Sequence, residues 1–274
     1  MTHITFIGAG NMARSIIGGL MAEGAAASSI TACDPKPEAL QALTQDFGIN
    51  TTTDNNAACA SSDVIVLAVK PQVMGPVCET LRPNLPTNCL VISIAAGIDC
   101  RSLQLWLGDD IRLVRCMPNT PSLIRQGASG LYAKADVSND HRALAEQILG
   151  AVGLVKWLPS EDLLDPVTAV SGSGPAYFFL FLEAMTDVGV ELGLDRGTAK
   201  ELAIQTAAGA AQLAQQSDVD LAELRRRVTS PGGTTERAIQ AFEKLGLRAM
   251  VREAMQACAG RSQELARELG AKSD

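Results

Sequence analysis

Gly8-Ala9-Gly10-Asn11-Met12-Ala13 places two glycines and an alanine at the spacing G-x-G-x-x-A, directly after the apolar run Ile4-Thr5-Phe6-Ile7. At this spacing the first glycine permits a tight turn and the second admits a pyrophosphate close to the backbone. The alanine lets a helix pack near a strand. Met12, Ile16, Ile17 and Leu20 then fall on one helical stripe. A helix that begins here offers phosphates its free N–H groups and the positive end of its dipole. The chemistry indicated is dinucleotide binding, with Gly8, Ala9, Gly10, Asn11 and Met12 around the phosphates. Asp34 follows Gly10 by 24 residues, at the end of a second β-rich run. An acid there bonds a ribose 2′-hydroxyl, favours NAD(H) and repels the 2′-phosphate of NADP(H). Lys36, two residues on, would offset that repulsion, so the choice of dinucleotide stays open.

Two more short segments end apolar runs in the same manner, Ala68-Val69-Lys70-Pro71 and Ala95-Ala96-Gly97. Each reads either as part of a cofactor crevice or as an ordinary strand-to-helix turn. Two glycine-rich stretches follow in the second half. Ser171-Gly172-Ser173-Gly174-Pro175-Ala176-Tyr177 carries a proline suited to a first helical turn. Val228-Thr229-Ser230-Pro231-Gly232-Gly233-Thr234-Thr235-Glu236 runs into a helix, where outward N–H groups and neutral hydroxyls would receive a carboxylate. The alternative is plain capping by Ser230 or Thr234.

Acid–base groups are scarce. The two histidines, His3 and His141, lie at a strand start and beside Asp140 and Arg142 on a polar helix start. No H-x-x-H, metal-type acidic cluster or nucleophile elbow occurs, and no metal is expected. A reaction run by such a chain rests on positioning and charge stabilisation.

The elements that must hold these residues change character along the chain. Up to residue 159, β-rich runs at 4–7, 30–33, 64–69, 90–95, 113–116, 130–133 and 154–158 alternate with helical stretches. Several of the runs are apolar on successive residues, as in strands buried on both faces of a parallel sheet. The expectation is an α/β fold, a doubly wound Rossmann-type domain over residues 1–159. From residue 160 to 274 the pattern is all helix, at 175–192, 198–216, 221–228, 235–245 and 248–269. The Ala-rich segment 203–214 predicts close helix packing inside that half.

Composition narrows the function classes. A net charge of -7, with no basic run longer than Arg225-Arg226-Arg227, argues against nucleic acid. Charged residues are only 19%, which leaves apolar surface to bury between subunits. The longest apolar run of note, residues 64–69, falls far short of the ~20 residues that span a bilayer. The start of the chain lacks the charged and apolar regions of a signal peptide. Seven cysteines, odd in number and without a C-x-x-C pair, read as core filler in a reducing cytoplasm.

Taken together, the Phe6-Ile7-Gly8-Ala9-Gly10-Asn11-Met12-Ala13 start, Ala68-Val69-Lys70-Pro71, Met117-Pro118-Asn119-Thr120-Pro121, the 171–177 stretch and Thr229-Ser230-Pro231-Gly232-Gly233-Thr234-Thr235 resemble the pyrroline-5-carboxylate reductase family over essentially the whole chain. The resemblance implies a C-terminal helical dimerisation domain, a homodimer and in some members a ring of dimers. It implies an active site between the cofactor domain and the helical domains of the dimer. By motif, Ser230 and the backbone of Gly233, Thr234 and Thr235 would hold the carboxylate of 1-pyrroline-5-carboxylate. The Thr235 hydroxyl would sit near the ring nitrogen, as the catalytic group. Glu161 matches an acidic position near substrate and nicotinamide, and Asn55 a ribose contact. The family's usual preference puts NADP(H) first and NAD(H) second, against the reading of Asp34. A β-hydroxyacid dehydrogenase is disfavoured because Phe178 stands where a catalytic lysine would follow Gly172-Ser173-Gly174. A ketol-acid reductoisomerase is disfavoured because its magnesium-binding carboxylates are missing.

Overall fold

The computed structural model describes residues 2–270. Strand–helix alternation begins at once. Strand β1 (Ile4–Ile7) leads to helix α1 (Asn11–Ala22), β2 (Ile30–Cys33) to α2 (Pro37–Phe47), and β3 (Asn50–Thr52) to α3 (Asn55–Cys59). Then β4 (Val64–Leu67) leads to α4 (Pro71–Leu81) and β5 (Leu90–Ser93) to α5 (Cys100–Leu107). β1, β2, β4 and β5 are buried at every residue, because helices cover both faces of the sheet. Pro37 and Pro71 open their helices, where a missing N–H costs nothing.

β6 (Arg112–Met117) and β7 (Gly127–Ala133) depart from the parallel expectation, pairing antiparallel with Val114 opposite Ala133. The connection holds only a 3₁₀ turn, Thr120–Ile124. A parallel return needs a dozen or more residues of crossover, so a connection this short turns the strand round. α6 (Asn139–Gly150) then crosses over to β8 (Gly153–Trp157), which lies parallel to β7. The order β3-β2-β1-β4-β5-β6-β7-β8 makes one eight-stranded sheet. β7 starts three residues earlier than its apolar run predicts, and β3, built of Asn50, Thr51 and Thr52, carries no apolar signal. Two apolar clusters flank the sheet, one around Phe6, Ile16 and Ile148, the other around Leu67, Met74 and Leu103. Six of the seven cysteines are buried in or beside them, and burial pushes the Cys33, Cys59, Cys78, Cys89 and Cys116 thiols up to about 12. These are packing groups, inert as nucleophiles.

The chain packs as two compact units. The first runs to Gly174 and takes in the residues from Ala257 on; the second is Pro175–Gln256. Beyond β8 the first unit adds a 3₁₀ turn (Glu161–Leu163), the short helix α7 (Leu164–Val167) and a π turn (Thr168–Gly172). The rest is helical: α8 (Gly174–Glu191), α9 (Arg196–Gln215), α10 (Leu221–Arg227), α11 (Thr234–Lys244) and α12 (Leu247–Leu269). Asp195 and Asp220 cap α9 and α10 through the N–H groups of Thr198 and Glu223. α12 crosses from the second unit into the first. There the Ser262 hydroxyl donates to Asp165 at 2.7 Å, and Cys258 Sγ donates to the Ser173 hydroxyl at 3.3 Å. The Ala-rich segment 203–214 does not lie inside its unit as its composition predicts; apart from Ala203 nearly all of it is exposed.

Candidate active site

In the first unit, the carboxyl ends of β1, β4 and β5 stand side by side, with Ile7 level with Leu67 and Leu67 level with Ser93. The three predicted crevice segments therefore leave the sheet at one edge. Gly8 holds φ +103°, and a Cβ placed there would stand 2.6 Å from the Ala68 oxygen and 3.1 Å from the Val69 nitrogen. The glycine turn thus rests directly on the Ala68-Val69 segment. Gly10, the N-cap of α1, has no side-chain capping bond, and a Cβ there would meet nothing within 4 Å. Open space beside an uncapped helix start fits a pyrophosphate. Ala13 is fully buried at the helix–sheet contact.

Asp34 does something its position alone does not predict. Its carboxylate accepts the Ala9 N–H and the Lys36 N–H, both at 2.9 Å. The acid therefore pins the glycine turn to the end of β2. The Lys36 side chain is exposed. Asn55 is the first residue of α3, half-buried, just after Asp54, which caps that helix through the N–H groups of Asn56 and Ala57. Lys70 is the exposed N-cap of α4 and Pro71 its first residue.

Ala95, Ala96 and Gly97 lie between β5 and α5, with Asp99 capping α5 through the Ser102 N–H at 2.7 Å. Glu161 is brought to this corner from across the sequence. Its Oε1 accepts the Cys100 N–H at 2.6 Å and Arg115 Nη1 at 2.7 Å. Arg115, on β6, is the one member that the sequence gives no reason to select. Nearby, Gly172 packs against the Met117 side chain, and Asn119 joins Ala128 N–H to the Ser171 carbonyl. The Met117-Pro118-Asn119 and Ser171-Gly172 motifs are thus one packed assembly, built on a π turn of the kind that recurs at functional sites.

In the second unit, Ser230-Pro231-Gly232-Gly233 closes on itself, the Gly233 N–H donating to the Ser230 carbonyl at 3.0 Å. Proline at the second position and Gly232 at φ +70° at the third make it a type II turn. Gly233 is the N-cap of α11 without a side-chain cap, so neither Ser230 nor Thr234 caps this helix. Glu236 reaches back to the Gly232 N–H at 2.8 Å. The N–H groups of Thr234, Thr235 and Glu236 have no acceptor among the described residues, nor have the hydroxyls of Ser230, Thr234 and Thr235 a partner. Ser230, Thr234 and Thr235 are exposed, and an uncapped helix start ringed by hydroxyls is suited to an anion.

Comparison with known proteins agrees with both halves. Residues 3–97 match the family model "NADP oxidoreductase coenzyme F420-dependent", and residues 161–265 match "Pyrroline-5-carboxylate reductase dimerisation". The pyrroline-5-carboxylate reductase of Pseudomonas aeruginosa is 56% identical over 268 residues, 98% of each chain. The chain belongs to the pyrroline-5-carboxylate reductase family. Among solved reductases of that family, the one from Coxiella burnetii superposes with a TM-score of 0.93 at 45% identity, covering 97% of this chain and 98% of that one. The Plasmodium falciparum pyrroline carboxylate reductase, solved with NADP bound, gives 0.86 at 28% identity over the same shares. Among the described residues no helix is long and apolar enough to cross a membrane.

Proposed function

We propose that this chain reduces the C=N bond of 1-pyrroline-5-carboxylate to give L-proline, as an NAD(P)H-dependent oxidoreductase. The observation that carries the reading is the uncapped start of α11, with three free backbone donors and free hydroxyls on a rigid turn. The substrate brings one carboxylate and one ring nitrogen. Ser230 and the N–H groups of Thr234 and Thr235 are assigned to that carboxylate and the Thr235 hydroxyl to the nitrogen, while Gly233, whose N–H closes the turn on the Ser230 carbonyl, shapes the receptor. A hydroxyl accepts from an iminium N–H and donates to the amine product, so it serves both ends of the reaction without changing charge.

When bound, the dinucleotide supplies hydride from nicotinamide C4. The chain holds it at Gly8, Ala9, Gly10, Asn11 and Met12 around the phosphates, with Asp34, Lys36 and Asn55 toward the adenosine ribose. Ala68, Val69, Lys70 and Pro71 line the crevice, and Ala95, Ala96, Gly97 and Glu161 stand on the nicotinamide side. NADP(H) is the proposed first choice, supported by the family's preference and by exposed Lys36, and NAD(H) the second. The imine is already electrophilic, so orientation and accommodation of charge at nitrogen are the work left to the protein. We assign the helical half to a homodimer, with a ring of dimers as its larger form, in the cytoplasm, where its seven unpaired cysteines stay reduced.

The test is direct. Purified protein is mixed with 1-pyrroline-5-carboxylate, and the oxidation of NADPH and NADH is followed separately. Turnover with both and a higher kcat/KM for NADPH is expected. A folded protein that oxidises neither is no reductase of this imine.

A further inference from the structure

We infer that Arg115 is a positioning residue for the nicotinamide-side turn: it holds Glu161 against the start of α5 and so fixes Ala95-Ala96-Gly97. The inference rests on the reading that this turn lines the cofactor crevice. Three observations on the first unit carry it. Arg115 lies level with Ser93, the last residue of β5, where the turn departs. Its guanidinium is nearly buried, with 12% of the side chain exposed, and its ion-pair partner is Glu161, 28% exposed. The carboxylate oxygen that takes Arg115 at 2.7 Å also takes the Cys100 N–H, the first of α5, at 2.6 Å. One oxygen thus joins β6 to a helix that opens three residues past Gly97. The Cys100 thiol also hydrogen-bonds the Glu161 carboxylate, so the start of α5 holds that side chain through both backbone and side chain.

A second brace confirms how closely this turn is held. Gly97 lies against Leu265 of α12, where an added Cβ would stand 3.1 Å from the Leu265 Cβ. The turn is therefore pressed from one side by α12 and tied from the other through Glu161. Arginine suits the tie because a carboxylate taken out of water needs a fixed, always-charged donor. Without it, Glu161 would be a half-buried carboxylate held by Cys100 alone and by no cation, free to swing toward solvent and to release the start of α5.

The test uses the assembled enzyme and three variants, Arg115→Met, Arg115→Lys and the double variant Arg115→Met with Glu161→Gln. NADPH affinity is measured by nucleotide fluorescence without substrate, KM for the imine by turnover, and folding by thermal midpoint. Arg115→Met should weaken NADPH about tenfold, with the imine KM within about twofold; tenfold is the scale of one charge-assisted hydrogen bond. Arg115→Lys should recover most of that loss, because a cation is restored. The double variant should bind NADPH no worse than Arg115→Met alone, as members of one unit do. If Arg115→Met lowers the thermal midpoint and leaves NADPH affinity unchanged, the pair is only structural and the inference falls. Should Arg115→Met fail to fold, Arg115→Lys and the folded double variant decide the matter by the same affinity readout. Ala96→Leu separates the two levels: it adds bulk on the turn without touching the pair. Unchanged NADPH affinity in Ala96→Leu removes the turn from the crevice, and the underlying reading fails. Weakened affinity there, with none in the Arg115 variants, overturns the inference alone.

Discussion

Gly8 and Gly10 lie two residues apart and meet opposite surroundings, so they fail in opposite ways when replaced. A side chain at Gly8 would enter the Ala68 carbonyl from a left-handed backbone, and Gly8→Ala should therefore unfold or distort the first unit. Gly10 has an ordinary backbone and open space around it. Gly10→Val should fold with a near-native thermal midpoint yet lose NADPH binding, because the valine fills the space the pyrophosphate needs; unchanged affinity would remove the phosphates from this turn. Asp34 calls for a similar separation. Its charge faces the ribose question, while its oxygens hold Ala9 and Lys36. Asp34→Asn keeps one acceptor and drops the charge, so it should move selectivity toward NADPH by roughly 1–2 kcal/mol. Asp34→Ala drops the acceptor as well and should weaken both dinucleotides on top of the same shift in selectivity. An unchanged NADPH/NADH affinity ratio in Asp34→Asn would leave Asp34 as a turn clamp without a part in selectivity. That clamp was hidden in the sequence because its partner, Ala9, is 25 residues away.

Helices and strands that announce themselves by period are those with one strong surrounding. β1, β2, β4 and β5 read as strands because each is buried throughout by helices on both faces. The polar edge strand β3 and the reversal at β7 have no such signal; the first depends on pairing with β2, the second on the shortness of a connection. The same holds for Arg115 and Glu161, 46 residues apart, whose meeting is fixed by sheet order and by nothing local. α12 reads as one helix, and its period does not tell that its last turns return to the sheet unit. By contrast the turn into α11 was legible from Pro231, Gly232 and Gly233, while capping by Ser230 or Thr234 stayed an open alternative until the structure gave Gly233 as an N-cap without a side-chain bond. That element carries the next prediction. Thr235 is the second residue of α11, exposed, with a hydroxyl that bonds nothing else among the described residues. Thr235→Val should lower kcat by something like 10- to 1,000-fold, or roughly 1.5–4 kcal/mol of transition-state stabilisation. Thr235→Ser should retain more activity, because it keeps the hydroxyl, and NADPH affinity should hardly move in either. If valine proved as active as serine, the turn would be a carboxylate clamp alone.

The described chain leaves much of its second unit unfinished. Phe178, Phe179, Leu180 and Phe181 are consecutive on α8, and their exposures are 65%, 67%, 67% and 45%. Successive residues of a helix point about 100° apart, so these four cover most of its circumference. A helix that is apolar all round must be buried, and the rest of this unit does not bury it. Leu192, Leu202, Leu213, Leu221 and Leu245 are exposed as well, as is most of the Ala-rich run of α9. The low charge content fits the same picture, since such a surface is not covered by polar side chains. A second copy of this chain carries the same apolar helices, which makes self-association the economical way to cover them. Sedimentation at micromolar concentration should therefore find no stable monomer, and the assembly should bury something like 2,000 Å² or more. Leu180→Glu places a charge in the middle of the exposed stripe and should split the assembly. The sheet unit, whose core contains none of these residues, should keep its NADPH affinity after the split. An active monomer at micromolar concentration, or a Leu180→Glu variant that stays assembled, would show that α8 is not where the subunits meet.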